Sequence, residues 1–217
     1  MALLLTVVSG LAWTVVYLEA IRLGFRDRTY AIPVAALALN LAWEVTYTVH
    51  AFTVPLNVQA LVNLTWTLAD LVIVYTYVRF GRAELSSVLT RPLFATWSAL
   101  LFASSFVVQW LFLGEFGVDA AARYSAFLQN LLMSVLFVAM LMSRGTLRGQ
   151  SLTIAVAKWI GTLAPTLLFG VLEGSAFIIG LGILCSVFDL GYIAMLRWAK
   201  NRFPAQRVTR ISTIRVN

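Results

Sequence analysis

The chain has 217 residues, 61% of them hydrophobic and only 12% charged, with a formal net charge of +7. A soluble domain of this length rarely carries so little charge, so composition excludes a water-soluble globular fold. The basic excess is scattered over several short segments instead of lining one face, which excludes a nucleic-acid-binding surface.

Successive apolar stretches approach the ~20 residues that a helix needs to cross the hydrocarbon core of a bilayer. They predict an all-α, seven-transmembrane-helix bundle with spans at about 2–23, 30–50, 57–79, 93–113, 124–142, 151–171 and 175–197. Residues 1–199 form this single domain, and residues 200–217 follow as a basic cytoplasmic tail able to rest on anionic membrane lipid.

The first span opens on "MALLLTVVSGLAW", which lacks the basic start of a cleaved signal peptide and reads as a retained helix. Glu19 lies near its end beside Arg22 and reads as interfacial. The second span contains "NLAWEVTY", residues 40–47, which puts Glu44 roughly 20 Å from the nearer basic end. Asn40 and Tyr47 lie one turn to either side of it on the same helical face, and Trp43 precedes it. In the third span Trp66 stands one turn before Asp70. The fourth span carries Trp110, and the sixth carries Lys158, close enough to its basic end to snorkel toward water. The seventh span contains "FDLGY", where Phe188 precedes Asp189 and Tyr192 follows one turn later. Asn57, Pro92 and Ser151 read as helix starts; Gly24, Gly81 and Gly114 read as stops.

Fourteen of the sixteen cations fall on one side of this arrangement: Arg22, Arg26, Arg28, Arg79, Arg82, Arg91, Arg144, Arg148, Arg197, Lys200, Arg202, Arg207, Arg210 and Arg215. The positive-inside rule therefore places the N-terminus outside and the C-terminus in the cytoplasm. Arg123 alone marks the outer side, and Lys158 lies within a span.

Glu44, Asp70 and Asp189 are the acids well inside spans. Intramembrane carboxyl groups are costly, and they face the bundle interior and mark functional sites. Asp70 also reads as a structural anchor paired with Lys158. The repeated pattern of an acid, a preceding aromatic residue and a tyrosine one turn later predicts that Glu44 and Asp189 line one aromatic cavity. Desolvation disfavours a charged carboxyl group, which suits it to donate a proton, and aromatic faces stabilise a carbocation. One His and one Cys fall short of the ligands a Cys/His metal site requires. Neither a metal nor another cofactor is expected. Acid, aromatic lining and no metal site together suit protonation of an alkene or epoxide in a substrate that enters from the bilayer.

The stretch Asn40-x-x-Trp43-Glu44-x-x-Tyr47 in the second of seven spans, with Asp189 in the seventh, resembles the integral-membrane terpene cyclases of meroterpenoid and indole-diterpene biosynthesis. These include the fungal paxilline-pathway type and short bacterial members acting on prenylated indole alkaloids. The resemblance implies that Glu44 and Asp189 are catalytic, in a metal-independent cyclisation of a prenyl chain on a prenylated, indole-containing substrate. It also implies a multi-pass protein of a bacterial cell membrane. Trp43, Tyr47, Asn40, Trp66, Asp70, Trp110, Phe188 and Tyr192 are the candidates for binding substrate. The acid-rich strings DxDD and DDxxD of soluble terpene cyclases do not occur in the chain. Which of the two acids donates the proton, the prenyl chain length, the head group and the oligomeric state stay open.

The competing expectation is a small seven-helix transporter coupled to protons or cations, since buried carboxylates also serve such relays. It calls for matched Gly- or Pro-broken helices in two halves, and Pro33 and Pro165 do not correspond. A retinal protein needs a lysine in its last span, and the seventh span has none before Lys200.

Overall fold

A computed structural model describes residues 1–53, 58–85 and 90–202. The proposed start at Asn57 and all of the tail beyond residue 202 lie outside the described residues. The chain forms six α-helices, with no strand among the described residues: α1 (Ala2–Asp27), α2 (Val34–Ala51), α3 (Val58–Phe80), α4 (Arg91–Arg144), α5 (Leu152–Pro165) and α6 (Ala176–Arg202). A single 3₁₀ turn, Gly81–Ala83, follows α3, and a π-helical segment, Thr166–Leu172, continues α5. Five helical stretches are long and apolar enough to cross a membrane, and the 18-residue α2 is not among them.

Six helices appear instead of seven because the expected fourth and fifth spans are joined in α4, which has 54 residues. Gly114 does not stop this helix; the break comes at Gly117, with φ 68° and ψ 171°. That conformation is open essentially only to glycine. A straight helix of this length would reach roughly 80 Å. Gln109 and Gln129, on opposite sides of the break, instead meet at 3.1 Å. The helix therefore doubles back on itself at Gly117, giving two arms.

The other expected boundaries move by a few residues. α1 runs past Gly24 and ends where Arg28 adopts the left-handed conformation, with its N–H bonded to the Gly24 carbonyl. Thr90 caps α4, with Pro92 inside its first turn. Ser151 caps α5, its hydroxyl accepting from the Thr153 N–H at 3.1 Å. Pro165 has no N–H to offer the α-helical ladder, and the backbone passes there into the wider π geometry.

Buried Leu23, Leu37, Ile73, Tyr77, Phe137 and Leu196 belong to one apolar core, while α1 and much of α3 and α6 present Leu, Val and Trp outward. Glycines set several close approaches: Gly24 faces Thr76, Gly161 faces the Trp13 ring and Gly182 faces Thr166. Small residues at such contacts let membrane helices pack by van der Waals contact.

At one end of the bundle the basic loops are tied to each other. Arg148 donates to the carbonyl oxygens of Asp27 at 2.8 Å and Arg28 at 2.9 Å, and pairs with Glu84 at 2.6 Å. Arg144 donates to the Tyr30 carbonyl at 3.0 Å. Elsewhere, Arg123 after the bend in α4 pairs with Glu173 before α6 at 2.5 Å.

Candidate active site

Glu44 lies on the face of α2 that packs toward α1 and α3, and is 3% exposed. Tyr17 of α1 donates a hydrogen bond to its Oε1 at 3.2 Å. Its Oε2 is buried and has no hydrogen-bond partner. Asn40, one turn earlier on α2, donates from Nδ2 to the Tyr17 hydroxyl at 2.7 Å and to Oδ2 of Asp70 at 2.8 Å. Asp70, on α3, is fully buried, and its Oδ1 is likewise without a partner. Three helices thus supply four polar side chains that run in series: Glu44, Tyr17, Asn40, Asp70.

Two aromatic pairs stand on the same helices. The Trp66 ring stacks on Tyr17 with centroids 6.0 Å apart and planes 27° from parallel, and its indole N–H donates to the Thr14 hydroxyl at 3.3 Å. Trp43 and Tyr47 hold their rings 4.9 Å apart. The indole N–H of Trp43 donates to the carbonyl of Ala122 at 3.0 Å, which joins α2 to the second arm of α4.

Asp189 stands in a different cluster, built by the second arm of α4, α5 and α6. Lys158 donates to both of its carboxylate oxygens, at 2.9 and 3.0 Å, and to the Ser134 hydroxyl at 2.6 Å. Lys158 is 1% exposed and Asp189 is 2% exposed. Nearby, the Asn130 amide donates to the Thr162 hydroxyl at 2.6 Å. Tyr192 donates to the Gln150 side chain, and its ring lies 5.3 Å from that of Phe137.

Several expectations are corrected by this geometry. Lys158 does not snorkel; its ammonium group is buried and bonds to Asp189 and Ser134. It does not pair with Asp70, whose partner is Asn40. The hydrogen-bond partners of Glu44 and Asp189 arrive from neighbouring helices, as Tyr17 and Lys158. Among the described residues no hydrogen bond or ion pair joins Glu44 to Asp189. Trp110 and Phe188 lie on the outside of the bundle, 63% and 36% exposed.

A recess of about 270 Å³ opens beside the Arg123–Glu173 pair, lined also by Asp119, Tyr124 and Phe169. Neither Glu44 nor Asp189 lines it. Among the described residues no three His, Cys, Asp or Glu side chains group as metal ligands would.

Sequence reasoning missed Tyr17. It stands 27 residues before Glu44 with no spacing rule to connect them. The available signal was weak: a tyrosine in the first span, four residues after Trp13 and two before Glu19.

The family model of Pyr4-like transmembrane terpene cyclases matches residues 1–172. The chain is 33% identical over 171 residues to the Pyr4-family terpene cyclase mfmH of Annulohypoxylon moriforme, covering 76% of this chain and 68% of that one. It is 29% identical over 199 residues to terpene cyclase pyr4 of Aspergillus fumigatus, covering 87% and 82% of the two chains. Terpene cyclase cle7 of Aspergillus versicolor is 29% identical over 169 residues, covering 74% and 68%. No solved structure matches. These relatives are fungal and lend no support to the expected bacterial membrane, whereas the family and the apolar helices agree on a multi-pass membrane protein. Matched over residues 1–172, with relatives covering two thirds or more of both chains, the protein belongs to the Pyr4-like transmembrane terpene cyclases.

Proposed function

We propose that this chain cyclises the linear prenyl chain of a lipophilic, prenylated substrate, with an indole-containing head group as the first choice, and that Glu44 donates the proton that starts the reaction. The observation that carries the reading is the Oε2 atom of Glu44: buried in the bundle and without a hydrogen-bond partner. A carboxyl oxygen not engaged by the protein is free to act on a substrate carbon.

In this reading the Oε2–H bond breaks and its electron pair stays on Glu44 as carboxylate. The π pair of a terminal alkene forms the new C–H bond, or an epoxide oxygen takes the proton. The cation left on carbon is attacked by the next double bond of the chain. Loss of a proton from carbon ends the sequence, so the product is an isomer of the substrate. Trp43, Tyr47, Tyr17 and Trp66 present ring faces toward which a cation is attracted, each by about 2 kcal/mol or more once water is excluded.

Asp189 takes a different part. A carboxylate held on both oxygens by an ammonium group has no proton to give, which makes Asp189 the electrostatic or terminal-base residue and leaves donation to Glu44. Counting the two arms of α4 as separate spans gives seven crossings, with the N-terminus outside and the C-terminus in the cytoplasm.

The test uses membranes containing the protein, a farnesylated indole, EDTA and D₂O buffer, read by mass spectrometry. An isomeric product carrying one added deuterium, absent with Glu44→Gln, is expected. Retention of full cyclisation by Glu44→Gln would overturn the donor assignment. Proton-coupled uptake of the substrate without any isomer would return the transporter reading.

A further inference from the structure

We propose that Tyr17 is a positioning residue that decides which oxygen of Glu44 carries the proton and holds the carboxylate formed when that proton leaves. The inference rests on the reading of Glu44 as donor and deepens it.

A tyrosine hydroxyl has one proton and two lone pairs. Asn40 directs an N–H of its amide at the Tyr17 oxygen, at 2.7 Å, and so occupies one lone pair. The second amide contact of Asn40 goes to Asp70, which fixes the amide's orientation from the other side. With the Asn40 N–H pointed at it, Tyr17 turns its single proton to Oε1 of Glu44, at 3.2 Å. An oxygen that accepts this bond is the carbonyl oxygen of a neutral carboxyl group. The acidic proton therefore sits on Oε2, the atom with no partner in the protein.

The same bond changes strength during the reaction. Before proton transfer Tyr17 donates to a neutral carbonyl; afterwards it donates to an anion, and charge-assisted hydrogen bonds are roughly twice as strong as neutral ones. Tyr17 thus stabilises the state after proton transfer more than the state before it, which is the condition for lowering a barrier. Trp66 stacked on the ring keeps the hydroxyl at its place.

The experiment has one reading that needs no substrate and one that does. Infrared difference spectra of the membrane protein identify the carbonyl stretch of neutral Glu44 as the band lost in Glu44→Gln. In Tyr17→Phe, which keeps the ring and its stacking, that band moves to higher wavenumber because its hydrogen bond is gone. With the farnesylated indole, Tyr17→Phe lowers kcat by about 10²-fold, the size expected for one donor to a developing anion, at unchanged KM. Tyr17→Leu, which also removes the ring face, lowers it by about 30-fold more.

An unmoved band in Tyr17→Phe overturns the proposal, as does a Phe variant with wild-type kcat beside an inactive Leu variant, since the ring alone would then matter. A spectrum in which Glu44→Gln removes no neutral carboxyl band overturns the donor reading itself, and so separates the two failures.

Discussion

Lys158 and Asp189 are two opposite charges held 2.9 Å apart with almost no exposure. Each is tolerated in the bundle because of the other. Removing one partner of a buried pair leaves an uncompensated charge, at a cost of about 3–5 kcal/mol, whereas replacing both by apolar residues is often neutral. Lys158→Met is therefore expected to lower the thermal unfolding midpoint in detergent sharply. The double variant Lys158→Met/Asp189→Leu is expected to recover most of the loss without recovering cyclisation. A single variant as stable as the parent would show that the pair is not held as drawn. This pair also marks where sequence reading reaches its limit. The burial of Glu44, Asp70 and Asp189 was legible from hydropathy, because cost in the membrane depends on position along one helix; that of Lys158 was not. Nor were the acids' partners, because Tyr17 and Lys158 come from other helices, and spacing rules see only one helix face at a time. The echo of acid and tyrosine one turn apart is real as a pattern, yet the hydrogen bonds of Glu44 and Asp189 belong to two separate clusters.

Helix contacts depend on positions where a single methyl group is too much. A Cβ at Gly182 would fall within 3 Å of the Thr166 side chain, at the start of the π-helical segment, whereas Gly191 on the same helix faces open space. Gly182→Ala is expected to destabilise by about 1–3 kcal/mol through overpacking. Gly191→Ala is expected to stabilise by up to about 1 kcal/mol through helix propensity. Thermal unfolding of both in the same detergent checks the sign of each. The bend in α4 gives a sharper case. Gly117→Ala has room for its methyl group, since no atom lies within 4 Å, but it would have to hold φ 68°. The strain should cost about 1–3 kcal/mol, while Gly114→Ala three residues earlier should be neutral or better. Equal stability of the two variants would count against the bend. Helix positions could largely be read from the sequence, since apolar runs and the cap at Ser151 are local signals. The union of two spans into α4 could not, because Gly114, Glu115, Gly117 and Asp119 read as a polar loop between spans, whereas the backbone stays helical on both sides of Gly117.

Across the whole molecule the charges sort by end. Arg26 pairs with Asp27, and Arg144 and Arg148 pair with Glu84, where α1, α3 and α4 finish. Arg123 meets Glu173 beside Asp119, after the bend. In the orientation proposed from the positive-inside rule, the first end is expected to be cytoplasmic and the second to face outward. Glu44 lies ten residues into α2 from the cytoplasmic loop, roughly 15 Å, and its neighbour Trp43 is bonded to Ala122 beside the outer pair. With Glu44 as the proposed donor in the proposed orientation, its proton is expected to be replaced over the shorter path, from the outer side. Orientation can be measured directly, because the single Cys185 is fully buried and leaves little background for thiol labelling. Asp119 and Thr146 are both exposed, one at each end. A membrane-impermeant maleimide should label Asp119→Cys in intact cells and Thr146→Cys only after the membrane is opened. The reverse pattern would invert the protein and send the proton in from the cytoplasm. Labelling of both variants in intact cells would mean that the two ends do not lie on opposite sides of the membrane, and the seven-span reading would fall with it.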